Sequence, residues 1–229
     1  MEPIAESLEA LTRLSATSGR DLVESMRSAA ARVVQAIPDC VGMSVCHFEA
    51  GMTFTLMATV ERLRLLDAAQ YLEGGPCQVA ALEGEEVVVD DLLDEDRWQL
   101  LALVSAAEGV RSSLSLPMRH DGQLYGSANF YAATTYGFQG REQDLARMFG
   151  ASVEEAVANA DLSMSSVNRA KRAVEQLEAS DSVNQAVGVL AAREGVSIEE
   201  ASERMRSAAD RAGISLLAIA QVLLRGRVS

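Results

Sequence analysis

Residues 177–224 read LEASDSVNQAVGVLAAREGVSIEEASERMRSAADRAGISLLAIAQVLL. This stretch predicts three short helices, because apolar residues recur every three or four positions and the pattern breaks at Gly195 and Gly213. The second helix begins with an S-x-x-E capping box at Ser197, and Ser215 is a suitable N-cap for the third. A unit this short buries little of its own surface, so we expect it to pack against a longer helix or a partner subunit.

The order and spacing of residues in these helices follow a known pattern. An apolar-x-x-Ala-x-Gly-apolar-Leu signature occupies the first helix, and further matches continue through the other two. The matching residues are Val183, Ala186, Gly188, Val189, Leu190, Arg193, Glu199, Glu200, Ala201, Met205, Arg206, Leu216, Ile219 and Ala220. With them the segment resembles the ANTAR domain, the three-helix RNA-binding module of bacterial transcription antitermination regulators. The resemblance implies an all-α ANTAR-like domain at residues 177–229.

Four positions depart from the ANTAR pattern. Val187 stands where the family usually carries Lys, and Ser202 stands where it carries an aromatic or large residue. Ala209 and Gly213 occupy the positions of a common Ser and a common Asn. Losing the Lys and the Asn removes one phosphate contact and one hydrogen-bonding group. These departures motivate an alternative function, in which the head has lost RNA binding and acts as a dimerisation or protein-interaction module.

The resemblance also implies a partner and a set of contact residues. ANTAR dimers are understood to bind paired RNA hairpins with short loops, which prevents a terminator from forming. Bases in such loops offer edges and stacking faces that a regular RNA helix hides. We expect Gln185 and Gly188 to contact the RNA, since the small residue at Gly188 permits close approach, and Arg193, Arg206 and Arg211 to reach phosphates.

The net charge of −13 is distributed unevenly along the chain. Residues 161–229 contain nine Lys or Arg and nine Asp or Glu, so the preceding residues carry the whole excess of acidic groups. A neutral C-terminal part permits a locally basic face that binds RNA. The alternative is that its arginines form an ordinary solvated face.

The composition is that of an ordinary soluble globular protein, with 48% hydrophobic and 23% charged residues among 229. No apolar run approaches the roughly 18–20 residues that span a bilayer, and the acidic N-terminus lacks the pattern of a signal peptide. We therefore expect a cytoplasmic protein without a membrane segment. Three cysteines, an odd number, argue against a disulfide framework.

Between residues 39 and 133 the pattern changes from helical to mixed. A helix at Ser18–Ile37, ended by Pro38, precedes this region. Alternating apolar residues predict strands at Cys40–Phe48, Thr53–Thr59, Glu86–Asp90, Ser113–Arg119 and Gln123–Tyr131, and a helix at Arg97–Ala107. An Asp-Gly turn between the last two strands is a strong hairpin signal. This order indicates an α+β domain with an antiparallel sheet and helices on its faces.

Several short motifs accompany this order of elements. They are Gly74-Gly75-Pro76-Cys77, Ala81-Leu82, Val88 to Leu92, Arg97-Trp98, Ser113 to Pro117, Gly122, Gly126 and Asn129 to Tyr131. With them the segment resembles the GAF domain, a widespread ligand- or signal-sensing module, and Gly-Pro-Cys at this place is familiar from GAF domains joined to ANTAR domains. The resemblance implies a small-molecule ligand whose identity the sequence does not name. We assign an N-terminal extension to residues 1–17 and the GAF-like domain to residues 18–140.

Two side chains of this domain are candidates for sensing. Cys77 follows Pro76 at a predicted helix start, where the helix dipole can lower a thiol pKa and favour oxidation; the alternative is a buried small hydrophobe. His47 could line a ligand pocket or bind haem, and the alternative is a satisfied core or surface histidine. Because Cys46 and His47 are neighbours on a strand, their side chains point to opposite faces and cannot share one metal. With two histidines and no CxxC motif, the sequence predicts no dedicated metal site.

The sequence lacks the motifs of common enzymes. It contains neither a G-x-x-x-x-G-K-S phosphate loop nor a G-x-S-x-G nucleophile elbow, so we expect a regulatory protein and not an enzyme. A remaining alternative is a small-molecule or redox sensor in which the GAF-like domain alone matters.

Residues 141–176 predict a long connecting helix with a seven-residue apolar repeat, which favours a coiled coil. We expect a parallel homodimer; the alternative is that this helix packs on its own sheet. The predicted dimer seam comprises Phe149, Val153, Ala156, Ala160, Val167, Ala170, Val174 and Leu177. In this hypothesis a signal in the GAF-like domain changes how the helices meet and repositions two RNA-binding heads.

Overall fold

The computed structural model describes residues 28, 30–37, 39–49, 51–120, 123–147 and 180–225. The predicted N-terminal extension, the eight seam residues from Phe149 to Leu177 and most of the connecting helix lie outside the described residues. The prediction of a coiled-coil homodimer therefore stays a prediction.

A five-stranded antiparallel sheet forms the centre of the N-terminal domain. Its strands are β1 (Cys40–Glu49), β2 (Met52–Ala58), β3 (Val87–Val89), β4 (Ser112–His120) and β5 (Gln123–Ala132), in the spatial order β2-β1-β5-β4-β3. The five predicted strands and the antiparallel α+β fold are confirmed. β5 pairs with β1 on one side and with β4 on the other. It thereby joins the β1–β2 pair and the β3–β4 pair into one continuous sheet.

One face of the sheet is apolar. Met43 lies opposite Phe130 across the β1–β5 pair, and Leu114 lies opposite the same Phe130 across the β4–β5 pair. These side chains are fully buried in a cluster with Val33, from the helical residues 30–36, and Leu145, from the helical residues 142–147. Helices that flank the sheet in sequence therefore cover this face.

Three helices belong to the opposite side of the sheet. They are α1 (Leu63–Glu73), α2 (Pro76–Glu83) and α3 (Gln99–Glu108). Pro76 occupies the first turn of α2, where its missing N–H costs nothing. The predicted helix at Arg97–Ala107 is confirmed as α3 within two residues, whereas α1 was not predicted from the sequence.

The C-terminal segment consists of the three expected helices, α4 (Ser180–Glu194), α5 (Ile198–Ala212) and α6 (Leu216–Arg225). Both predicted N-caps are present: the Ser197 hydroxyl accepts from the Glu200 N–H at 3.1 Å, and the Ser215 hydroxyl accepts from the Ala218 N–H at 3.1 Å. Gly213 ends α5 with φ +68°, a left-handed conformation that Asn also tolerates. The Gly-for-Asn departure at this position therefore preserves the helix end.

The three-helix head packs directly on the N-terminal domain. Leu63 and Leu66 of α1 and Met205 and Ala208 of α5 belong to one buried apolar cluster. Burial against a larger partner supplies the apolar contact that so short a helical unit lacks. Among the described residues no single helix has the length and composition to cross a membrane, although α5 and α6, bent by 114° at their junction, pass that test as a pair.

Candidate functional site

The sheet face that α1 and α2 cover is polar, although it is buried. Small polar side chains alternate with the apolar ones along β1, β4 and β5 and meet polar residues of β2, α1 and α2. We call this set the polar layer. It comprises Ser44, Cys46, Thr55, Asp67, Gln70, Tyr71, Cys77, Ser113, Ser115, Ser127, Asn129 and Tyr131.

Asp67 of α1 lies at the centre of the polar layer and has no exposed surface. Its carboxylate accepts hydrogen bonds from the hydroxyls of Ser44 at 2.8 Å, Thr55 at 2.9 Å and Tyr131 at 3.0 Å. Burial raises the pKa of Asp67, and these three donors together with the charge of Arg64 only partly oppose that rise. The carboxyl is therefore a buried, strongly hydrogen-bonded group that resists ionisation.

Further hydrogen bonds connect the polar layer to both helices. The Tyr71 hydroxyl lies 2.9 Å from the Thr55 hydroxyl and donates to the Cys46 sulfur at 3.2 Å. Gln70 accepts from the Cys77 N–H at 2.8 Å and donates to the Tyr131 hydroxyl at 3.2 Å. Gln70 thus joins the end of α1 to the first turn of α2 and to the sheet.

Cys77 lies at the start of α2, as expected, but the direction of its pKa shift is the opposite of the redox hypothesis. Burial, followed by a hydrogen bond with Cys46, raises the pKa of the Cys77 thiol well above its ordinary value. The expected lowering by the helix dipole is therefore wrong, because complete desolvation outweighs it. The geometry matches the alternative, a buried small side chain.

Three buried side-chain oxygens of the polar layer have no hydrogen-bond partner among the described residues. They are Ser113 Oγ, Ser127 Oγ and Asn129 Oδ1. All three residues are at most 1% exposed and lie on the same face of β4 and β5. Because an unpaired buried polar atom costs about 1–3 kcal/mol, these oxygens favour a polar molecule at this face.

His47 is buried but lies on the other face of β1. Along β1, Cys46 pairs with Ser127 of the polar layer, and the alternation of a strand then directs His47 away from it. His47 is therefore not part of the polar layer, and it would not line a ligand site formed by that layer.

Two of the acidic residues after β3, Asp91 and Glu95, are paired with arginines. A hydrogen bond from Arg111 is the main cause that lowers the pKa of Asp91, and a hydrogen bond from Arg97 does the same for the pKa of Glu95. In the parts of the chain that the structure describes, no three His, Cys, Asp or Glu residues gather as a metal site would require.

The predicted RNA-binding residues of the head fall into two groups. The first group consists of two arginines that contact the N-terminal domain. Arg211 donates to the Thr53 carbonyl at 2.9 Å and the Thr53 hydroxyl at 3.1 Å, and its guanidinium lies 4.2 Å from the centre of the Tyr71 ring. Arg193 lies 3.8 Å from the Glu73 carboxylate and donates to Gln99 at 3.5 Å. These two arginines therefore contact the N-terminal domain.

The second group is exposed. Gln185 and Arg206 are exposed, and Arg206 forms no hydrogen bond or ion pair with any residue that the structure describes. A Cβ atom at Gly188 would meet nothing within 4 Å, so the surface of α4 is open there. Val187, by contrast, is buried in the core, which accounts for an apolar residue at the position of the usual Lys.

Most of the polar layer was not predicted from the sequence. Asp67, Gln70 and Tyr71 were overlooked because two polar residues interrupt the apolar stripe of α1. A signal was nevertheless present on the strands, where Ser, Asn and Cys recur with period two and without the charges that a solvated face usually carries.

Two family models match the chain. The model described as the GAF domain matches residues 19–158, and the model described as the ANTAR domain matches residues 171–224. The two matches together span nearly the whole described structure. No curated protein is significantly similar to the sequence.

Two solved structures are similar to part of the chain. Type II free methionine-R-sulfoxide reductase from Thermoplasma acidophilum is 12% identical, with 62% of this chain and 97% of that chain covered and a TM-score of 0.49. A GAF domain from Synechocystis in its photoproduct state is 20% identical, with 60% and 96% covered and a TM-score of 0.46. These similarities assign neither a reaction nor a chromophore to this chain.

Proposed function

Because the chain belongs to the GAF domain family and carries an ANTAR domain, we propose that it binds hairpin RNA through paired ANTAR heads and so modulates transcription termination. Both domains are regulatory and not catalytic, and their combination makes the chain a signal-responsive regulator of the ANTAR family. We place this activity in the cytoplasm, and we propose the polar layer as the site that receives a small-molecule signal.

The observation that carries the proposal is the ANTAR match over residues 171–224, which includes the Ala186-x-Gly188 signature. The open surface above Gly188 supports it, since a nucleic-acid backbone can approach a helix closely only where side chains are small. Exposed Arg206 adds a guanidinium without a competing partner among the described residues. Gln185 provides amide groups on the same helix as Gly188.

The proposal is tested by crosslinking the full-length protein to cellular RNA, sequencing the bound transcripts and titrating one recovered hairpin pair by gel shift. Arg206→Ala should weaken binding and lower the slope of log affinity against log salt by about 1, because one phosphate contact is lost. Arg62→Ala removes an exposed arginine from the GAF domain, which we call the sensor, and serves as the control. An unchanged affinity and slope for Arg206→Ala would count against the assignment.

Gly188→Ala separates binding from folding. In a helix interior, Ala is favoured over Gly by about 0.5–1 kcal/mol, and a Cβ at this position meets no neighbour, so the free energy of unfolding should rise. RNA affinity should nevertheless fall, because the methyl group occupies the surface that the RNA approaches. Equal or tighter RNA binding by this stabilised variant would remove Gly188 from the interface.

A second function is favoured by specific positions. Val187 is buried where the family usually carries Lys, and Arg193 and Arg211 contact the sensor. A head that lacks the usual Lys, and whose Arg193 and Arg211 are engaged by the sensor, would act as a dimerisation or protein-interaction module. In that case crosslinking would recover no enriched transcripts, whereas sedimentation would still detect a dimer.

A further inference from the structure

The contacts between head and sensor involve residues that the proposed function needs elsewhere. Arg193 and Arg211 are two of the three arginines expected to reach RNA phosphates, and both lie against the sensor. A guanidinium that donates to a protein carbonyl cannot at the same time use those N–H groups for a phosphate. For Arg211, which donates to the Thr53 carbonyl, the docked head and the RNA-bound head are therefore alternative states of the same side chain.

Arg211 has the more extensive contact. It lies in the last turn of α5, donates twice to Thr53 of β2 and stacks over the Tyr71 ring of α1. Its guanidinium also lies 3.5 Å from the Tyr71 carbonyl. This one side chain thus joins the head to both the sheet edge and the helix that carries Asp67, so the polar layer and the docking contact share α1.

A reciprocal contact comes from the sensor. Arg64 of α1 donates to the Ala212 carbonyl at 2.8 Å, and Ala212 is the final residue of α5. The last carbonyls of a helix lack intrahelical donors, so a cation from outside satisfies one of them. Arg64 is not a candidate RNA-binding residue. Its replacement should therefore weaken the contact between head and sensor without altering the proposed RNA surface.

We propose that the sensor holds the ANTAR head in a docked, RNA-excluding state through Arg211 and Arg64, and that the head must undock before Arg211 can reach RNA. This inference rests on the proposed RNA-binding function. Docking and RNA binding are then negatively linked. While docked heads are the major population, a change that weakens docking from the sensor side strengthens RNA binding by the same factor.

Arg64→Met in the full-length protein tests the inference. RNA affinity, measured by fluorescence anisotropy with a labelled hairpin pair recovered by crosslinking, should increase about tenfold. Arg62→Met is the matched control, because it removes the same charge from an exposed arginine beside α1 that forms no hydrogen bond or ion pair with the described residues of the head. Since both variants reduce the positive charge of the sensor equally, tighter binding by Arg64→Met alone cannot come from net charge.

Thr53→Val provides a second variant without a charge change. It removes the hydroxyl that accepts from Arg211 and keeps the volume of the buried side chain, so it should raise RNA affinity by a smaller factor. Amide hydrogen exchange reports docking independently of RNA, and exchange in α5 should become faster in Arg64→Met and Thr53→Val but not in Arg62→Met.

The outcomes separate the two proposals. Unchanged exchange in α5 in both variants, or faster exchange with wild-type RNA affinity, would overturn the docked, RNA-excluding state. If exchange becomes faster and neither the wild type nor any variant binds RNA, the proposed RNA-binding function is wrong and the dock itself is supported. Faster exchange together with tighter RNA binding supports both.

Discussion

Replacement of Asp67 is the sharpest test of the polar layer, because three hydroxyl groups from three different strands converge on its carboxylate. Asp67→Ala leaves the Ser44, Thr55 and Tyr131 hydroxyls without this acceptor. Each buried hydroxyl that loses its partner costs about 1 kcal/mol or more, so the free energy of unfolding should fall by about 3 kcal/mol. The loss of side-chain volume adds to this cost.

Asp67→Asn should behave differently, because it keeps the shape and a carbonyl oxygen. That oxygen can still accept from Ser44 and Tyr131, and the amide N–H can donate to the Thr55 hydroxyl, whose proton then turns toward the Tyr71 hydroxyl. The free energy of unfolding should stay within about 1 kcal/mol of the wild-type value at neutral pH. The contrast between Ala and Asn thus isolates hydrogen bonding from charge.

The pH dependence follows from the direction of the Asp67 shift. Burial raises the folded-state pKa above that of the unfolded chain, so the folded protein holds the proton more tightly. The stability that this group contributes is complete below the unfolded pKa and is lost as the pH rises through the folded pKa. The wild type should lose stability relative to Asp67→Asn across that interval as the pH increases, and the difference should be constant outside it.

Urea unfolding at a fixed protein concentration measures these differences, with the fluorescence of the single tryptophan, Trp98, as the probe. Trp98 is 9% exposed and belongs to the same buried cluster as α1, so it reports on this domain. A wild type that gains stability relative to Asp67→Asn as the pH rises would refute the assignment of a raised pKa. An Asp67→Ala variant as stable as the wild type would refute the central role of the carboxylate.

Two further predictions concern the cysteines and a close strand contact. All three cysteines, Cys40, Cys46 and Cys77, are buried, and burial raises the pKa of Cys40 and Cys77. Iodoacetamide should therefore label none of them in the native protein and all of them in urea. Rapid labelling of Cys77 in the native protein would contradict this. Gly126→Ala should lower the free energy of unfolding by about 3 kcal/mol or more, because its Cβ would lie 1.9 Å from the Cys46 carbonyl oxygen, and Gly188→Ala is the control without a clash.

Local patterns made several parts of this fold predictable. The strands were predictable from the alternation of apolar residues, because one face of the sheet, which includes Met43 and Phe130, is apolar. The N-caps at Ser197 and Ser215 followed from chemistry within three residues of each cap. Such features depend on neighbours in sequence, so a single chain contains the information needed to place them.

The polar layer and the docked arginines depend on partners distant in sequence. Asp67 resembles an exposed residue until Tyr131, 64 positions away, supplies a buried donor. Arg211 resembles any solvated arginine of a helix end until Thr53, 158 positions away, supplies two acceptors. Charge and periodicity are the same in both situations, and for this reason the sequence could nominate Arg211 for RNA but could not reveal its contact with the sensor.

The apolar part of the interface determines how strongly the dock opposes RNA binding. Leu66 of α1 and Met205 of α5 share one buried cluster, so undocking exposes apolar surface at a cost of about 25 cal/mol per Å². If undocked heads are a minor population, the apparent RNA affinity falls by the fraction of heads that are undocked. The arginines alone therefore do not decide the response. A signal that moves α1 changes both the polar contacts and this apolar contact, and it can thus shift the population more than the loss of one hydrogen bond.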